Sequence, residues 1–242
     1  MIANETKNGI TCKCDRKLLR IAKILMGGMA TFEIKEIIEK LQRASKELAQ
    51  IMGVERVVIF KIYRKDHLSA LICELVAGTP EGVHKIGFSN WLSGHPDIEL
   101  AYNNKKVILI NDPKTNPATE HFRPTIMHND INQILYIPLV SASDKPYVRG
   151  VIVLDALRNR EFSMEDCCCC ECAGELISMT LNYMDAIELL LEDKTLNPAV
   201  AEAGIFGNIL KHAAKIKELV EPFVDAAKKT EETFKERRRT RF

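Results

Sequence analysis

The stretch from Ile131 to Met184 constrains the fold more than any other part of this chain. Two short apolar runs rich in β-branched residues lie in INQILYIPLV and YVRGVIVLDALRNREF, and the connection SASDKPY carries turn formers. This pattern predicts two paired strands. Ser163 and Asp166 then have the spacing of a capping box, which opens a helix that runs to about Asp193. We therefore predict a strand, strand, helix unit that closes a domain.

This closing unit resembles the carboxy-terminal half of a GAF domain. The residues that carry the resemblance are Tyr136-Ile137-Pro138-Leu139 in the first strand, Gly150-Val151-Ile152-Val153-Leu154 in the second, and Arg160 to Asp166 before the helix. The resemblance implies an α+β fold with a central antiparallel β-sheet of five or six strands and helices on both faces. In the family, the segment that corresponds to residues 83–130 covers one sheet face and forms the wall of a ligand pocket.

The remaining pattern divides the chain into three parts. We predict an amino-terminal extension with a short helix at residues 1–30, a GAF-like sensory domain at 31–193, and a carboxy-terminal helical extension with a heptad-like rhythm at 194–242. Within the domain, apolar residues at alternating spacings of three and four predict a helix that ends at Gly53. The runs VERVVIFKIYR and LSALICELVAG then predict a first hairpin.

Composition excludes several classes of partner. The formal net charge is +1, which gives no global electrostatic attraction to nucleic acid or to an anionic membrane. The amino terminus lacks the apolar core of a signal peptide, and no window reaches the roughly 18 to 20 apolar residues that cross a bilayer. We expect a cytoplasmic protein without a membrane or nucleic-acid partner.

The eight cysteines are unevenly distributed, and five of them fall between Cys167 and Cys172. Thiolates of Cys168, Cys169 and Cys172 could converge on a metal, and an oxidisable cluster could sense redox state. Consecutive helical residues point in different directions, however, and free cysteine packs as a small apolar residue. Structural packing is the preferred interpretation, with a core stripe of Cys170, Ala173, Ile177 and Leu181.

Catalytic motifs are absent from the sequence. It contains no G-x-S-x-G elbow, no H-E-x-x-H, no P-loop and no dinucleotide-binding glycine fingerprint. Some GAF proteins reduce free methionine sulfoxide through cysteines in the pocket segment, but residues 83–130 contain none. His121 and His128 could share a helical face and bind a metal or haem, although solvated loop histidines are the simpler interpretation. We expect no enzyme activity, and the sequence identifies no cofactor.

Candidate ligand contacts follow from position in the family pattern. Arg123 could clamp a carboxylate or phosphate, while Trp91 and Phe122 could stack on a flat ring. The candidate set consists of Trp91, Tyr102, Asn111, Asp112, His121, Phe122, Arg123 and Tyr136.

These observations predict a regulatory domain that binds a small molecule and transmits its ligand state through flanking helices in a homodimer. A separate effector protein would then receive the signal. Two alternatives stay open: a metal or redox sensor that uses the cysteines between Cys167 and Cys172, and a non-sensing dimerisation or interaction module.

Overall fold

The computed structural model describes residues 15–27, 33–64, 70–80, 85–141, 147–157 and 160–192. The helical extension predicted for 194–242 lies outside the described residues. A six-stranded antiparallel sheet forms the centre of the fold, with strand order β3-β2-β1-β6-β5-β4. The strands are β1 (Arg56–Arg64), β2 (Leu71–Thr79), β3 (Ser89–Trp91), β4 (Ile108–Ile110), β5 (Ile131–Val140) and β6 (Val148–Leu157).

Helices cover both faces of this sheet. They are α1 (Asp15–Met26), α2 (Ile34–Met52), α3 (Pro96–Asn104), α4 (Arg123–His128) and α5 (Met164–Glu192), with 3-10 helices at Leu92–Gly94 and Pro117–Phe122. The predicted α+β architecture is therefore confirmed, with six strands. Among the described residues, no helix is both long and apolar enough to cross a bilayer.

The first sheet face packs against α1, α2 and α5. Alternate residues of the central strands, such as Ile59, Ile152 and Leu154, point into this layer and are fully buried. The predicted α5 stripe of Cys170, Ala173, Ile177 and Leu181 is also fully buried there. The amino-terminal helix α1 packs on both α2 and α5, so the three helices form one layer.

The start of α5 is fixed by the predicted capping box. The backbone N–H of Ser163 donates to Oδ2 of Asp166 at 2.8 Å, and the backbone N–H of Asp166 donates to Oγ of Ser163 at 3.2 Å. Arg160 binds the same carboxylate oxygen at 2.9 Å and also donates to the carbonyl oxygen of Met52 at 3.0 Å. This arginine therefore joins the first turn of α5 to the end of α2.

Gly150 of β6 lies opposite Lys61 of β1 in the strand register. A Cβ atom at this position would overlap the carbonyl oxygen of Phe60. Only glycine fits this approach of two backbones, which explains why a glycine precedes the apolar run of β6. Residues next to it alternate between the two faces, with Val151 and Val153 directed to the second layer.

Candidate functional site

The second sheet face is covered by residues 85–130. Here α3, the 3-10 helix Pro117–Phe122 and α4 lie over β5, β6 and β1, opposite the helix layer. Most side chains between them are apolar. The buried members from the covering segment are Leu92, Ile98, Ala101 and Ile126, and those from the three strands are Ile62, Ile131, Ile134, Tyr136, Val148, Val151 and Val153.

Asp97 places a carboxylate inside this apolar layer. It is the second residue of α3 and is 4% exposed. The hydroxyl of Tyr136, a fully buried residue of β5, donates to its Oδ2 at 2.8 Å. Burial raises the pKa of Tyr136, and the negative charge of Asp97 raises it further. The phenol therefore stays protonated and serves as the donor.

Two histidines lie beside this carboxylate. Nε2 of His121 lies 3.2 Å from Oδ1 of Asp97, and the ring of His95 meets that of His121 edge-on with centroids 5.7 Å apart. Burial lowers the pKa of His95 more than the charge of Asp97 raises it. His95 is therefore a neutral imidazole near pH 7, with one nitrogen lone pair free to bind a cation or accept a proton.

The three side chains form a potential ligand set. One donor atom from each of His95, Asp97 and His121 lies within 4.8 Å of the others. Two imidazole nitrogens and a carboxylate oxygen suit several divalent transition metals. In the part of the chain that the structure describes, this is the one such group of three residues.

A second buried carboxylate lies on the same sheet face. Asp155 of β6 stands directly opposite Arg56 of β1 in the strand register, and the two side chains form an ion pair. Asp155 is 1% exposed, and burial raises its pKa to about 6 despite the lowering effect of the Arg56 guanidinium. The negative charge of Asp97 acts in the same direction as burial, so the two carboxylates repel each other within this layer.

The structure brings four of the predicted contact residues to this layer. Tyr136 and His121 bracket Asp97, and the ring of Phe122 packs edge-on against that of His121 with centroids 4.7 Å apart. Tyr102, near the end of α3, packs half-buried against the same apolar cluster.

The other four predicted residues lie elsewhere or have partners of their own. Trp91 is 42% exposed on the outer strand β3, where it pairs with Ile72. The remaining three make local contacts: Asn111 accepts a 2.9 Å hydrogen bond from Gln133, Asp112 accepts one of 2.7 Å from Thr115, and Arg123 lies 3.8 Å from Glu120.

His128 and the cysteine cluster do not join the site. His128 is exposed at the end of α4, and His95 rather than His128 accompanies His121. Cys169 and Cys170 are buried in the helix layer whereas Cys168 is exposed, so these thiols point in different directions as the helical spacing predicts. Cys12 and Cys14, the other possible thiol ligands, lie outside the described residues.

Cys73 of β2 is a thiol within the second layer that the sequence did not single out. It is 2% exposed, and burial raises its pKa, with a further contribution from Asp97. It is therefore a neutral thiol at physiological pH, and neutral thiols are poor nucleophiles.

Sequence reasoning missed the central polar residues of this face. A charge within an apolar strand, as in VIVLDAL at Asp155, was the available signal for the buried ion pair. Nothing comparable indicates His95 and Asp97, because a histidine and an aspartate beside Pro96 are ordinary residues at a helix start. Only the crossing of α3 over β5 brings Asp97 to Tyr136.

Comparison with known proteins agrees with this architecture. The family model described as GAF domain matches residues 36–181. The GAF domain of a phosphoenolpyruvate-protein phosphotransferase from Coxiella burnetii superposes with a TM-score of 0.56 at 18% identity, covering 71% of this chain and 96% of that one. Its Acinetobacter counterpart gives 0.57 at 15% identity, covering 71% and 93%.

A third similar structure is an enzyme. The free methionine-R-sulfoxide reductase of Neisseria meningitidis, solved in complex with its substrate, gives a TM-score of 0.52 at 14% identity, covering 76% of this chain and 98% of that one. Identities this low establish a shared fold and nothing finer. No curated protein sequence matches this chain.

Proposed function

This chain belongs to the GAF domain family, and on that premise we propose that it is a regulatory protein that binds a small molecule between α3 and the sheet. GAF domains are commonly sensory, ligand-binding domains of signalling proteins. The observation that carries the proposal is the polar group on the second sheet face, in which Asp97 and Tyr136 are buried and His95 and His121 are partly exposed. Such a group inside an apolar layer is the usual composition of a small-molecule site, where apolar walls supply affinity and a few polar atoms fix orientation.

The chemistry of these side chains defines the class of ligand. Asp97 offers an acceptor, while the two imidazoles can donate or accept. Phe122 and Tyr102 add aromatic surface at the same layer. We propose a small polar molecule with a flat or short apolar part, contacted by His121, Phe122, Tyr102 and Tyr136. The other four predicted residues would contact the ligand at the margin of the site rather than at its centre: Trp91, Asn111, Asp112 and Arg123.

Strand β1 supplies a physical connection from this site to the helix layer. Phe60 lies on the site face, with its ring centroid 6.2 Å from that of His95. The next residue, Lys61, points to the opposite face, where its Nζ lies 2.8 Å from Asp185 and 2.5 Å from Glu188 of α5. A displacement of β1 at Phe60 therefore acts directly on an ion-paired contact with α5.

Lys61 can connect β1 to α5 because its amine stays protonated although the side chain is buried. Burial lowers its pKa, but hydrogen bonds and charge from the two carboxylates outweigh burial and raise the net value. Arg149 of β6 pairs with Asp185 as well. A ligand can shift this connection only by the difference between its affinities for the two arrangements of the helices.

The helix layer would pass the ligand state on to other molecules. We propose that α5 and the extension that follows it form a homodimer contact, which a separate effector protein reads. Support comes from the heptad-like rhythm of residues 194–242.

The cytoplasmic location and the three-part domain division remain predictions from the sequence. We propose a non-enzymatic role, because the one thiol among the buried residues of the site face, Cys73, is held neutral.

Ligand-observed NMR on the full chain tests this function. A panel of small carboxylic acids, amino-acid derivatives and nitrogen heterocycles would be screened against metal-free wild type, Asp97→Asn and His128→Gln. We expect at least one compound to bind the wild type and the His128→Gln control equally, and Asp97→Asn at least tenfold more weakly. Compounds that bind all three proteins alike would contradict a site centred on Asp97.

A further inference from the structure

We propose that His95, Asp97 and His121 bind one divalent transition-metal ion, of the zinc or ferrous-iron class, on the site face of the sheet. This inference rests on the proposed function, since it specifies what occupies the centre of the same site. No recognisable metal-ligand spacing marks this site in the sequence, because the ligands come from the start of α3 and from a 3-10 helix residue 24 positions beyond Asp97.

The positions of the donor atoms suit one ion. Transition metals hold imidazole nitrogen and carboxylate oxygen at about 2.0–2.2 Å, so two ligands of one ion lie roughly 3–4 Å apart. Nε2 of His121 and Oδ1 of Asp97 already have such a separation, 3.2 Å. No two donor atoms of the three residues lie more than 4.8 Å apart. A rotation of the His95 side chain that moves its ring nitrogen by about 1 Å would therefore bring all three donor atoms within reach of one ion.

The carboxylate of Asp97 carries an independent sign of a missing partner. Its side chain is 6% exposed, and Oδ1 is buried and accepts no hydrogen bond of good geometry among the described residues, although Nε2 of His121 lies 3.2 Å away. A buried carboxylate oxygen without a donor is costly unless a proton or cation occupies the position. Oδ1 is the oxygen next to Nε2 of His121, whereas Oδ2 is already bound by Tyr136.

The residues around these three side chains also suit a metal ion, both in their charge and in the hydrogen bonds that hold the ligands in place. Asp155 is ion-paired with Arg56, whereas the charged-group contact of Asp97 within the described residues is the imidazole of His121. Tyr136 fixes the carboxylate through Oδ2, as hydrogen bonds commonly orient metal-binding carboxylates. The side chain of His121 is 27% exposed, which gives an ion a route from solvent. Three protein ligands leave at least one coordination position for a polar atom of a bound small molecule.

Cobalt(II) titration followed by absorption, with metal content after equilibrium dialysis against zinc, tests the inference on the full chain. Wild type should bind one ion per chain with visible d–d bands and no thiolate charge-transfer band. His121→Ala and Asp97→Asn should weaken binding at least tenfold. His128→Ala removes an exposed histidine of the same segment, and Cys168→Ser/Cys172→Ser removes the exposed thiol and one of the two half-buried thiols of α5. Both controls should bind like wild type.

Several results would overturn the inference. Binding that survives His121→Ala, or that disappears in the cysteine double variant, would place the ion elsewhere. Stoichiometric binding by none of the proteins would exclude the site. Circular dichroism confirms folding, so a loss through unfolding is recognised, and His121→Gln provides a second variant. Repeating the NMR screen with and without metal separates the two proposals. If an organic compound binds metal-free protein but no metal binds, the proposed function stands and the metal site is wrong. If metal binds but no organic compound does, the metal site stands and the proposed function is wrong.

Discussion

The hydroxyl of Tyr136 donates a 2.8 Å hydrogen bond to Oδ2 of Asp97, which joins the central part of β5 to the first turn of α3. Both residues are almost completely buried. This contact holds the segment over the site face at one defined place, and it leaves the second oxygen of Asp97 directed to His121. The variants that follow test this contact and the structural elements that connect it to the helix layer.

Tyr136→Phe should destabilise the protein by about 1–2 kcal/mol, because it leaves a buried carboxylate oxygen without its donor. Urea unfolding of the full chain measures the change. Tyr102→Phe is the matched control, since the Tyr102 hydroxyl makes no hydrogen bond within the described residues, and it should stay within about 0.5 kcal/mol of wild type. Equal effects of the two substitutions would show that the Tyr136–Asp97 bond does not stabilise α3.

The contact between β1 and α5 should give a measurable coupling energy. In a double-mutant cycle of Lys61→Met and Glu188→Gln, we expect coupling of about 0.5–3 kcal/mol, because the Lys61 side chain is only 6% exposed and its partners lie within 2.8 Å of its Nζ. The control cycle uses Lys114 and Asp130, an exposed pair at 2.7 Å, for which we expect about 0–1 kcal/mol. A coupling for Lys61 no larger than this would argue against β1 as the connection.

Asp155 should make stability fall as pH rises through the weakly acidic range. Burial raises its pKa in the folded protein from the ordinary 3.8 to about 6, so the folded state holds a proton that the unfolded chain releases. The contribution is fully present below 3.8 and is lost as pH rises through about 6. The difference in unfolding free energy between wild type and Asp155→Asn should therefore decrease from pH 4 to pH 7. An increase over that range would mean that Arg56 lowers the pKa more than burial raises it.

Gly150→Ala should destabilise the sheet by about 1–3 kcal/mol, because the added methyl group overlaps the Phe60 carbonyl and the strands must separate. Thermal unfolding measures this. Gly94→Ala serves as the control, because its Cβ would meet only the Asn90 side chain at 3.4 Å, an ordinary contact. Similar midpoints for the two variants would show that the strands accommodate the methyl group.

Much of the fold could be predicted because its signals are local. The capping box of Ser163 and Asp166 has a fixed spacing, and the buried stripe of α5 follows the helical period. Gly150 and the strand patterns beside it carried the family resemblance. These features depend on neighbours in the chain, so a single sequence contains enough information to place them.

The polar centre of the site is different because it depends on distant parts of the chain. Asp97 and Tyr136 are 39 positions apart, and no local pattern links an aspartate in a helix start to a tyrosine in an apolar strand. The sequence did select Tyr136 and His121 by their positions in the family pattern. It missed His95 and Asp97, and it included Trp91, which is 42% exposed on the outer strand β3.

Amide hydrogen exchange of α5 tests the central claim most directly. A compound or ion that binds at Asp97 should protect α3 and also change exchange around Asp185 on the opposite side of the sheet. Lys61→Met should keep the protection of α3 and lose the change in α5. Protection of α3 in wild type with no change in α5 would contradict transmission of ligand state through β1.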